Sequence, residues 1–107
     1  MRAASRSRRF RARIEAEARR TLSDPFACPT EIEEARVVLP DWQPMDADRR
    51  DAFDRHVTLA LKGLERSCSP EYRNECSAVL ARAADIDGAR LKELKATRGH
   101  ERARGAT

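Results

Sequence analysis

Between Asp46 and Cys68 the chain sets Phe53, Val57, Leu61, Leu64 and Cys68 at spacings of four, four, three and four, with Ala60 beside them. That is the repeat of a single helical face. A strand would alternate every second residue instead. An apolar stripe of this kind must be covered by another element, so the chain is committed to helix-on-helix packing. Asp46 caps the helix. Ser69-Pro70 then starts another: serine at the cap, and proline at the first helical position, where its missing N–H does no harm. The new helix carries Tyr72, Cys76, Val79, Leu80 and Ala83 on one face and runs, with a kink at Asp87-Gly88, through Leu91 and Leu94. The spacing predicts an antiparallel hairpin over 46–97, with Phe53, Val57, Leu61, Leu64, Val79 and Leu80 buried together or against a partner.

Upstream, residues Ala3 to Leu22 contain neither proline nor glycine and are rich in Ala, Arg and Glu, which favours helix. The apolar positions Phe10, Ile14, Ala18 and Leu22 recur every four residues. So thin a stripe suits lying along another protein better than building a core. The stretch "SDPFACPT" breaks this helix. Thr30 with Glu33 reads as the capping box of a short helix that ends near Leu39, before Pro40. "PDWQP" is an extended connector with Trp42 as its anchor. The polar tail "TRGHERARGAT" is expected to fray. The expected fold is all-α: a basic N-terminal helix or arm (1–22), a Pro-containing connector with a short helix (23–45), a helical hairpin (46–97) and a flexible tail (98–107).

At 107 residues the chain is one domain at most. A domain this short buries only roughly 60–65% of its unfolded surface. Phe10, Phe26, Trp42, Phe53 and Tyr72 are its only aromatics, against 37% charged residues. That composition argues against a compact enzyme core and for extended helices completed by a partner. The longest apolar patch, "HVTLAL", is far below the roughly 18 residues a span requires, and no secretory h-region is present.

Of 22 basic residues, 19 are arginine. A GC-rich genome produces such a bias, and arginine forks also recognise carboxylates and phosphates bidentately. Their placement is more telling than their number. Arg2, Arg6, Arg8, Arg9, Arg11 and Arg13 fall within the first thirteen residues, where no acid occurs. This is the composition of a mitochondrial targeting segment and equally of an RNA-binding arm. Either way the arm is expected to meet an anionic surface.

Cys68 and Cys76 flank the Ser69-Pro70 turn, each on the apolar face of its helix. A disulfide there would pin the closed end of the hairpin, and a loop so short would stabilise by about 2–3 kcal/mol on the entropy account. Two reduced cysteines acting as small apolar residues are the plain alternative. A zinc site would need four ligands at short spacing, and Cys28, His56 and His100 are scattered. A catalytic cysteine would need a base, and neither histidine supplies one. Cys28 is left free or joined to a neighbour.

A helix ending in cysteine, a short turn and "EYRNEC" opening the next helix resemble the cysteine-paired helical hairpins of intermembrane-space proteins. Together with "SDPFACP" and "DRHVTLALKGLERSC", the pattern is most similar to the PDSW-type accessory subunit of respiratory complex I, over roughly residues 24–85. The resemblance implies a non-catalytic structural subunit on the intermembrane-space face of the mitochondrial inner membrane. It also implies Cys68 and Cys76 as a structural pair, other subunits as partners and no cofactor. Phe53, Val57, Leu61, Leu64 and Trp42 are the partner-packing candidates. Two other roles fit the residues: a small ribosomal protein of the mitochondrial matrix, holding RNA through the arginine arm, and a small helical bacterial or phage partner-binding protein.

Overall fold

In a computed structural model of the protein, which describes the backbone of residues 2–105 and the side chains of residues 7–99, the chain is all-helical. Among the described residues there are four helices and no strand: α1 (Arg2–Ser23), α2 (Pro29–Val38), α3 (Asp46–Arg66) and α4 (Pro70–Gly105). The contacts divide the chain into two compact units, residues 1–52 and 53–107.

In the first unit, α1 ends where the sequence breaks it. The Ser23 hydroxyl donates to the Arg19 carbonyl at 2.8 Å. The Asp24 carboxylate then accepts from the Phe26 N–H at 2.9 Å, and its carbonyl accepts from Ala27 N at 3.2 Å. Asp at the first position and Pro25 at the second are what such a turn selects. The next helix begins one residue before the expected capping box. Pro29 takes the first position, Cys28 is the flanking residue at φ −77°, ψ 157°, and no side chain caps the helix. Proline's fixed φ decides the start, which leaves Thr30 already inside the helix.

The α2 helix packs back along α1 through Ala35, against Ala18 and Leu22, and Leu39 and Trp42 close over the cluster. The Arg36 guanidinium fixes the connector by donating to the carbonyls of Leu39 at 3.3 Å and Trp42 at 2.5 Å. Trp42 is therefore the anchor the sequence indicated. This core is thin because two of its three buried members are alanines. It is also short. Ten residues of α2 extend about 15 Å, against about 33 Å for the 22 residues of α1. Residues 7–13 of α1 are exposed, and Phe10 is 65% exposed.

The second unit differs from a two-helix hairpin. Ser69 caps α4 as expected, its hydroxyl accepting from Tyr72 N at 3.3 Å, and the helix starts at Pro70. The Arg73 guanidinium reaches back to the Leu64 and Ser67 carbonyls at the end of α3. Gly63 lies against Cys76 and Tyr72, so 70–86 runs antiparallel to α3. Arg98 nevertheless meets Glu65, Nε to Oε1 at 3.1 Å and Nη2 to Oε2 at 2.8 Å. On a straight α4, Arg98 would lie about 33 Å beyond Cys76. The chain must fold back, and it does so at Asp87, whose φ −156° and ψ 83° are not helical.

Asp87 is in effect the cap of a third helical segment, 88–105, since its carboxylate accepts from Arg90 N at 3.1 Å. Two bidentate pairs set the register of that segment: Arg98 with Glu65, and Arg90 with Asp54 at 2.9 and 2.6 Å. Both run in the direction of α3, giving an up-down-up arrangement. Pairs in contact with solvent contribute at most about 1 kcal/mol each, so they fix register more than they stabilise. The hydrogen bonds from Arg90 to Asp54 and then to Glu93 raise the guanidinium pKa and keep it charged. Replacing Asp87 by Ala should cost about 1 kcal/mol through the lost cap. Gly88→Ala, whose new methyl meets nothing within 4 Å, should gain roughly 0.5–1 kcal/mol. Urea melts followed by circular dichroism would show both, and a neutral Asp87→Ala would refute the restart.

The pairing of Cys68 with Cys76 is corrected by this geometry. All three cysteines are free thiols, Cys76 buried, Cys68 exposed and Cys28 in between. The cause is the length of α3. It stops at Arg66, so Cys68 falls in the linker 67–69, where the Ser67 hydroxyl accepts from Ser69 N at 3.1 Å. Cys68 leaves the apolar face there, while Cys76 remains on it, in the second turn of α4. Alkylation of native protein should modify Cys68 readily and Cys76 only after unfolding; equal protection of both would restore the disulfide.

Candidate interaction surface

The partner-packing candidates separate into two groups. Phe53 and Val57 are buried, at 4% and 0% exposure, together with Ala60, Cys76, Ala83 and Leu91. They form the interior of the second unit and are unavailable to a partner. Leu61, Leu64, Val79, Leu80 and Trp42 are half-buried at its margins or, for Trp42, over the first unit's core. The seam is rotated slightly from the expected one, toward Ala60 and Gly63 and away from Leu61.

Gly63 carries a signal that the apolar periodicity does not. A glycine inside a helix costs about 1 kcal/mol relative to alanine, so its presence marks a close approach. A Cβ there would lie 2.5 Å from the Cys76 sulfur and 2.8 Å from Cε1 of Tyr72. The phenol of Tyr72 is pushed above its ordinary value, chiefly because an ionised Cys76 would place a second negative charge beside it, and also because the two side chains are hydrogen-bonded. Cys76 is thus a packing residue with a polar neighbour, as a small apolar thiol should be.

The first unit presents an open surface of a different kind. Arg8, Arg9, Arg11 and Arg13 are exposed on α1, around Phe10. The side chains of Arg2 and Arg6 lie outside the described residues. Lower on the same unit, between α1 and α2, is an open cleft of about 280 Å³. Ile14, Ala18, Ala35 and Val38 make its floor, and Glu17, Glu31 and Glu34 stand around it with Thr21. One small unit therefore presents a basic apolar knob and an acidic apolar slot. The slot was not legible in sequence, because its carboxylates come from two helices and converge only on folding.

Among the described residues, no group of three or more His, Cys, Asp or Glu side chains is placed to hold a metal ion. No helix among them is long and apolar enough to cross a membrane. No protein-family model, curated protein or solved structure matches the chain.

Proposed function

We propose that the protein is a non-catalytic assembly subunit that joins its complex through the exposed 7–13 segment of α1. The observation that carries this reading is Phe10, 65% exposed, in line with an apolar stripe whose other half is buried and flanked by four exposed arginines. Burying a phenylalanine yields about 1.5–3 kcal/mol, a gain the free chain leaves unrealised. The complementary surface is an apolar slot edged with carboxylates, since arginine forks pair with them bidentately. A complex I-like accessory subunit of mitochondria is one setting for such a role. With the Cys68–Cys76 bond unformed, the support for that setting is the acid-free arginine arm and the "DRHVTLALKGLER" stretch of α3.

An RNA-binding arm is the second reading, favoured by the exposure of Arg8, Arg9, Arg11 and Arg13 together. Against it, Phe10 is the sole aromatic among them, so no stacking platform accompanies the charge. Native electrophoresis of cell extracts separates the two. The endogenous chain should migrate far above its 12.1 kDa, and Phe10→Ser combined with Arg9→Glu and Arg13→Glu should release it. Release by ribonuclease would establish the RNA reading instead, and migration of the unaltered chain at or near its own mass would refute assembly.

A further inference from the structure

The first unit contains both a basic apolar knob and a slot of the chemistry that fits it. The slot has an apolar floor of Ile14, Ala18, Ala35 and Val38 and a rim of Glu17, Glu31 and Glu34. Phe10 cannot fill the slot of its own chain. Eight residues separate it from Ala18 on one uninterrupted helix, about 12 Å along the axis. We propose that the occupant is a second copy of the chain, each copy placing the 8–13 segment of α1 in the other's slot across a two-fold axis. This inference rests on the docking role assigned to α1 and names the surface it docks on.

The charges agree with an antiparallel register. If the two α1 helices cross near Ile14, Phe10 of each copy reaches the level of the other's Ala18, and Arg13 comes within one turn of the other's Glu17. Because α2 turns back along α1 after the Asp24-Pro25 turn, with Ala35 against Ala18 and Leu22, Arg9 then stands near the level of Glu31 and Glu34, which line the slot from α2. Arg19 and Arg20, at similar levels, do not line the slot. An isologous pair of this kind engages two knobs and two slots at once. Each contact alone would be modest. The pair is closed, so no chain of subunits grows from it.

Sedimentation equilibrium of the full-length chain tests this. The unaltered protein should dimerise, and higher salt should weaken the dimer because exposed charges are screened. Glu31→Lys with Glu34→Lys should weaken association at least tenfold, as should Arg9→Glu with Arg13→Glu. A chain carrying all four reversals should regain it, because opposite signs then meet again. A monomer at every concentration overturns the proposal, and so does dimerisation indifferent to both pairs of reversals. Circular dichroism on each variant shows that the helices are retained. The outcome is separable from that of the assembly reading: a chain monomeric alone but large in extracts defeats only the self-pairing, and a dimer that stays a dimer in extracts defeats only the larger assembly.

Discussion

Gly63→Leu should destabilise the second unit by about 3 kcal/mol. The α3 helix and the 70–86 segment approach so closely at this position that even a methyl group would lie 2.5 Å from the Cys76 sulfur and 2.8 Å from the Tyr72 ring. A leucine adds three further carbons at a buried crossing. Overpacking a tight core costs about 1–3 kcal/mol and sometimes more, while a unit of this size has only about 3–8 kcal/mol to lose. Gly63→Ala should be milder. Helix propensity returns about 1 kcal/mol, and the half-exposed Tyr72 ring has room to swing aside, so a net loss of about 1 kcal/mol is expected. The decisive comparison is Gly63→Ala in a Cys76→Ala background. With the sulfur gone the alanine should be tolerated, and the two losses should be less than additive. Helix content by circular dichroism follows the unit, and Trp42 emission reports on the first unit separately. Full stability of Gly63→Leu would show that the helices do not cross there.

The helices were legible because their punctuation is strong. Pro25, Pro29, Pro40, Pro44 and Pro70 divide the chain, and each helix described begins or ends beside one of them. The anchoring of Trp42 and the serine cap at Ser69 were legible for the same local reasons. What the sequence concealed was topology. The Asp87-Gly88 step reads as a kink, and nothing local distinguishes a kink from a reversal. The difference lies in the Arg90–Asp54 and Arg98–Glu65 pairs, whose partners are 36 and 33 residues apart.

The cysteine pairing failed through a boundary. Placing Cys68 on the helical face required α3 to extend two residues further than it does, and helix ends are the least certain feature of any periodic pattern. The acidic slot was hidden for a different reason. Glu17, Glu31 and Glu34 look like ordinary solvated charges on two amphipathic helices until the Asp24-Pro25 turn folds one helix onto the other.

Val57→Asp should be the most damaging single change in the chain. Val57 is fully buried, at 0% exposure, between Phe53 and Ala60 on the face that α4 covers. An aspartate there would lose its hydration and gain no cation in exchange, since the Arg90 and Arg98 guanidiniums are already committed to Asp54 and Glu65. Desolvation of an unpaired carboxylate costs several kcal/mol unless it takes up a proton, which consumes most of the stability such a unit has. Two gentler substitutions locate the seam. Val57→Ala removes two methyl groups from a fully buried site and should cost about 2 kcal/mol. Leu61→Ala removes more atoms but from a half-buried position, and should cost about 1 kcal/mol. The order of the three losses in urea melts is the test. Were Leu61→Ala the more harmful of the alanine changes, α3 would be turned toward the Leu61 stripe that the periodicity first indicated, and Gly63 would no longer face Cys76.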